Sequence, residues 1–174
     1  MLLADPLLDE AFFQRAVVLL IDHSVEESFG LVLNHVTDVK LSELFEDIDL
    51  DLAVFNGGPV SPQQLFYLHR FSQIEGSLKV GKDLYFGGNW RQVIERANKM
   101  NKPHLYLRVF AGYSGWGAQQ LENEVSERAW LCISQAENDS IFKIKVEDLW
   151  KRLLLNQGPE FKIFAHFPLQ VSDN

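Results

Sequence analysis

Residues 16–21 read Ala-Val-Val-Leu-Leu-Ile and are apolar on both alternating sets, Val17, Leu19 and Ile21 on one and Ala16, Val18 and Leu20 on the other. A strand with one face in water alternates apolar and polar positions. Arg15 to Asp22 therefore predicts a central strand buried on both faces. Phe29 to Asn34 follows after a short acidic turn, the spacing of an antiparallel hairpin. The apolar run is far shorter than the roughly 20 residues that a bilayer span needs.

The same reading places further strands at Ala53 to Phe55, Leu65 to His69, Leu84 to Phe86, Leu105 to Ala111, Ala129 to Ser134 and Ile141 to Ile144. Helices are fewer. Val146, Leu149, Trp150, Leu153 and Leu154 form one apolar stripe at helical spacing, and Gly158-Pro159 is a stop signal. Asn89 is a good cap for a helix that turns Trp90, Val93, Ile94 and Ala97 inward. Shorter helices are predicted around Leu41 to Glu46 and over Ala118 to Arg128. Strand clusters separated by single helices, without regular alternation, define an α+β fold with a mixed, largely antiparallel sheet. Glycines and prolines act as isolated turn punctuation and no linker or repeat interrupts the chain, so residues 1–174 read as one domain.

Sixteen Lys and Arg against 24 Asp and Glu give a formal net charge of −8, which argues against a phosphate-tracking surface and direct duplex binding. A single cysteine excludes an internal disulfide framework, and Cys132 reads as a buried structural thiol. The amino terminus lacks the basic segment of a secretory signal, so the expected location is cytoplasmic. The apolar opening Met1-Leu2-Leu3 places the first residues inside a structural element, with room for residues upstream.

Leu105 to Trp130 reads as strand, glycine-rich bend, helix and strand, the bend being Gly112-Tyr113-Ser114-Gly115-Trp116-Gly117. Free N–H groups at such a bend suit an anion, although neither the dinucleotide nor the P-loop spacing is matched. Ser114 sits where a nucleophile elbow would place one, but Trp116 occupies a position that such an elbow reserves for a small residue. Glu122 projects near the edge of the helix's apolar stripe, so partial burial against Arg15 or Arg108 is expected. His23 and His69 end predicted strands without a local metal-ligand spacing. Asn56-Gly57-Gly58-Pro59-Val60 reads as a proline-fixed turn.

Taken together, these blocks resemble the YqgE/AlgH family of uncharacterised bacterial proteins. The resemblance runs from Leu2 to about Trp130, more weakly beyond. It rests on Asp5-Pro6, Phe13-Gln14-Arg15-Ala16-Val17-Val18, His23, Gly30-Leu31-Val32-Leu33-Asn34, Asn56-Gly57-Gly58-Pro59-Val60, Leu68-His69, and Gly112-Tyr113-Ser114-Gly115-Trp116 through Gln120-Leu121-Glu122 to Ala129-Trp130. Ala16 stands where the family usually has Ser or Thr, His35-Val36 replaces a basic residue and proline, and Gln119 occupies a usual glycine. Position 114 is often Ala in relatives. Phe167-Pro168 resembles the carboxyl-terminal motif, with Gln170-Val171 in place of its Asp-Pro. The resemblance implies an α+β fold with a flattened β-barrel of strands flanked by a few helices. It also implies no established enzymatic activity, and a link in name to transcriptional regulation.

The function expected is a non-enzymatic ligand- or protein-binding domain, regulatory in role. Its site would collect Arg15, His23, Asn34, Gly57, Gly58, Pro59, His69, Gly112, Tyr113, Gly115, Trp116, Gln120 and Glu122 into one hollow at the sheet's rim. The expected partner is a protein or a small anionic ligand, with no cofactor, metal or membrane. The alternatives are a hydrolase using Ser114 or an acid–base pair from Glu122, His23 and His69, and a purely structural interaction module.

Overall fold

The computed structural model describes residues 1–134 and 139–166. The chain opens with β1 (Leu2–Ala4), β2 (Val17–His23), β3 (Ser28–Val32), β4 (Val36–Lys40), α1 (Leu41–Leu44), β5 (Ala53–Asn56) and β6 (Val60–His69). It continues with β7 (Leu78–Gly81), β8 (Leu84–Phe86), α2 (Trp90–Ala97), β9 (Leu107–Trp116), α3 (Gln120–Ser126), β10 (Trp130–Cys132), α4 (Asp139–Lys143) and α5 (Val146–Leu155). The strands form a curled half-barrel in the order β10-β1-β2-β3-β9-β6-β8-β7, with β4 hydrogen-bonded to β5 and β5 to β9. All these pairs are antiparallel except β5 with β9.

β9 organises the sheet. Its first half pairs with β5 and β6, and its last three residues pair with β3, Gly115 lying opposite Phe29. The predicted glycine-rich bend is therefore continuous strand as far as Trp116, a correction to the sequence reading. Gly112 absorbs the change of direction at φ 71°, a left-handed conformation that glycine reaches without a Cβ penalty.

β2 is central as its double-faced apolar pattern requires, with Val17, Val18 and Leu19 at most 1% exposed. One face of the sheet packs on α4 and α5 through Leu19, Leu31, Phe110, Leu149, Trp150 and Leu153. The opposite face carries two smaller cores, one beneath α2 around Leu107 and Val109 and one beneath α3 around Val18, Trp116 and Trp130. Asn89 caps α2 by accepting a hydrogen bond from the Gln92 N–H at 3.2 Å.

Two further expectations are corrected. Ile141 to Ile144 is not a strand; Asp139–Lys143 is helical, because Ile141 and Phe142 both enter the core, which successive residues of one strand cannot do against a single layer. Cys132 is exposed, because it ends the edge strand β10 and no further strand covers that edge among the described residues. Phe167-Pro168 and Gln170-Val171 lie outside the described residues.

Candidate functional site

The candidate residues fall into separate places. Arg15 precedes the start of β2 and His23 ends it, with the strand between them about 20 Å long at about 3.3 Å per residue. At the Arg15 end, Asn34 is used structurally. Its Nδ2 donates to the Arg15 carbonyl at 2.9 Å and its Oδ1 accepts from the Val17 N–H at 2.8 Å, so it ties the two strands together where the ladder begins. The Arg15 guanidinium lies 5.3 Å from the centre of the Trp150 ring.

His69 is fully buried and has no free ring nitrogen. Nδ1 accepts from the Phe71 N–H at 3.2 Å, so Nε2 carries the proton and donates to the Gly87 carbonyl at 3.0 Å. Desolvation by burial pushes its pKa below the ordinary 6.5 and outweighs the two backbone hydrogen bonds. It is a neutral pin between β6 and the β8–α2 turn. A hollow shared by Arg15, His69 and Glu122 is therefore not formed.

Gly57, Gly58 and Gly112 form a backbone junction. A Cβ on Gly57 would stand 2.3 Å from the Gly112 carbonyl oxygen, and one on Gly58 would stand 2.0 Å from the Tyr113 carbonyl carbon. Pro59 closes the turn into β6. The Gly57 N–H donates to the Ala111 carbonyl and its own carbonyl accepts from the Val32 N–H, each at 2.9 Å, so β3, β5 and β9 meet there. Ser114, fully buried, donates its hydroxyl to the same Gly57 carbonyl at 3.2 Å. Among the described residues that hydroxyl has no histidine partner, and Ser114 lies within β9, not on the strand-to-helix turn that a nucleophile elbow requires.

At the far end of β2, His23 Nδ1 lies 2.7 Å from the Ser28 hydroxyl across the hairpin, and Nε2 lies 3.8 Å from Glu122 Oε1. Both side chains are half exposed, so Glu122 faces His23 in water and is not buried against Arg15 or Arg108. The inward carboxylate of α3 is Glu124. Its Oε2 accepts from the indole N–H groups of Trp116 at 2.8 Å and Trp130 at 2.7 Å, and its Oε1 accepts from Gln120 at 2.8 Å. Gln120 in turn accepts from the Gly117 N–H at 3.0 Å. Sequence reading passed over Glu124. The available signal was the pair of buried tryptophans flanking α3, whose N–H groups needed an acceptor.

Beside this corner the curl of the sheet leaves an open groove of about 810 Å³. Four half-buried rings, Phe29, Phe66, Phe86 and Tyr113, form its floor, with centroids 4.9 to 6.2 Å apart. Val60 and Leu78, 36% and 52% exposed, extend the apolar wall. Asp22, Glu26 and Glu27 form one lip. Of the candidates, Tyr113, Gly115 and Trp116 line the groove, and His23, Gln120 and Glu122 belong to the corner beside it. Among the described residues no group of three His, Cys, Asp or Glu is placed to hold a metal ion, and no helix is long and apolar enough to cross a membrane.

These features define the class as an α+β protein on a curled, mostly antiparallel half-barrel. The chain belongs to the AlgH-like family, whose profile it matches over residues 1–162. It is 34% identical over 169 residues to a UPF0301 protein of Bacteroides thetaiotaomicron, covering 96% of this chain and 86% of that one. A UPF0301 protein of Chlamydia caviae is 34% identical over 173 residues, covering 97% and 90%. The solution structure of AlgH from Pseudomonas aeruginosa superposes with a TM-score of 0.73 at 25% identity, covering 96% of this chain and 92% of that one. The crystal structure of DIP2367 from Corynebacterium diphtheriae shares the fold with a TM-score of 0.79 at 21% identity, over 95% and 90%.

Proposed function

We propose that the protein is a binding domain whose contact surface is the aromatic groove inside the curl of the sheet, and that any regulatory role is exercised by docking there. The observation that carries this reading is the four-ring floor, left partly exposed on the face where α4 and α5 also pack. Half-buried aromatic rings keep apolar surface in water that a ligand would remove, and about 810 Å³ falls within the range of binding sites. The polar candidates at Arg15, Asn34 and His69 have structural partners, so they add no rival site.

The test is an NMR screen of neutral, cationic and anionic fragments against the isotopically labelled protein. Amide shifts clustered at Phe29, Phe66, Phe86 and Tyr113 support the reading. Shifts clustered at Arg15 and Asn34, away from these rings, would assign binding elsewhere.

A further inference from the structure

We infer that the groove receives a basic segment of a partner protein, one presenting an arginine or lysine beside an apolar side chain. This deepens the proposed function and rests on it. The floor is aromatic and the charged lip is entirely acidic, with Asp22, Glu26 and Glu27 all exposed. Among the described residues no lining side chain is cationic. A guanidinium or ammonium set over the face of an aromatic ring is attracted by the ring's quadrupole, and carboxylates at its edge add to the attraction. An anion would meet only repulsion from the lip, and the formal net charge of −8 extends the same field outward. The small anionic ligand expected from the glycine-rich segment therefore finds no support here. The N–H groups of that segment are not a free cradle, because its residues are strand and pair with β3 and β6.

Shape selects the partner class. A small molecule is held by a pocket that encloses most of its surface. Here the hollow is open to solvent, and its wall continues into exposed Val60 and Leu78, an apolar strip that would remain wet around a lone ammonium ion. A peptide covers both features, with its apolar side chain on the strip and its cation between the rings and the lip.

Three blocked eight-residue peptides with identical leucine and phenylalanine positions, differing only in carrying arginine, glutamine or glutamate between them, are titrated into the labelled protein. n-Butylammonium serves as the small-cation control. The arginine peptide is expected to shift groove resonances and to bind roughly tenfold or more tightly than the glutamine peptide. The double variant Glu26→Lys, Glu27→Lys, both sites being exposed, is expected to remove that preference. Groove binding by the glutamine or glutamate peptide at equal or greater affinity overturns the inference and leaves the groove as the site. So does an arginine preference that survives the double variant, and so does butylammonium matching the peptide. Shifts outside the groove for every probe overturn both readings.

Discussion

Gln119 shows how one residue carries a strain that the sequence pattern hints at. It precedes α3 at φ 60°, in the left-handed region where a side chain costs about 1–2 kcal/mol, and the family resemblance leads one to expect a glycine there. Gln119→Gly is expected to stabilise the fold by about 0.5–1 kcal/mol after the entropy of the unfolded glycine is subtracted, raising Tm by roughly 1–4 °C in a thermal melt. Glu124 has the opposite character. Glu124→Ala orphans two indole N–H groups at once, so a loss of about 2–4 kcal/mol and a red-shifted tryptophan emission are expected. His69 adds a pH dependence. Its folded pKa lies below the unfolded 6.5, so between those values the unfolded chain binds more protons. Stability is fully present above about pH 6.5 and falls as pH drops through that window. His35, also lowered by burial, contributes in the same direction. His69→Gln is expected to flatten, without abolishing, the slope of denaturant midpoint against pH below about pH 6.5.

At the scale of elements, the strand and helix pattern was legible where periodicity was long or capped. β2 showed itself by two apolar faces, α2 by Asn89 and its inward stripe, and α5 by five apolar positions at helical spacing. Ile141 to Ile144 was ambiguous because a four-residue apolar run satisfies both periods. Gly112 to Trp116 misled because glycines signal bends, whereas here they let β9 change partners while remaining a strand. The site residues were legible as family positions but not as a place. The pairings that sort them, Asn34 with Arg15 and Gly57 with Gly112, are long-range contacts that spacing does not encode. β9 also carries Arg108, 6% exposed, with its guanidinium 4.4 Å from the Phe55 ring centre and donating to the Leu33 carbonyl at 2.8 Å. Burial pushes its pKa down to about 10, a sign that the charge is poorly solvated. Arg108→Met keeps the stem and removes the charge, whereas Arg108→Ala leaves a cavity. The alanine variant is expected to lose about 2–4 kcal/mol in chemical denaturation and the methionine variant at least about 1 kcal/mol less.

For the whole molecule, the decisive feature is how the curl is filled. Helices α4 and α5 pack on the same face of the sheet as Phe29, Phe66, Phe86 and Tyr113 and leave those four rings partly exposed. Binding in the groove requires those rings to be reachable from solvent in the ligand-free protein. A soluble nitroxide that broadens nearby proton resonances measures that directly. Strong broadening of the ring protons of these four residues, against protected Phe110 and Leu149 as buried references, is the predicted result. Rings as protected as Phe110 would mean that the groove is closed in solution, and the binding surface would have to be sought elsewhere.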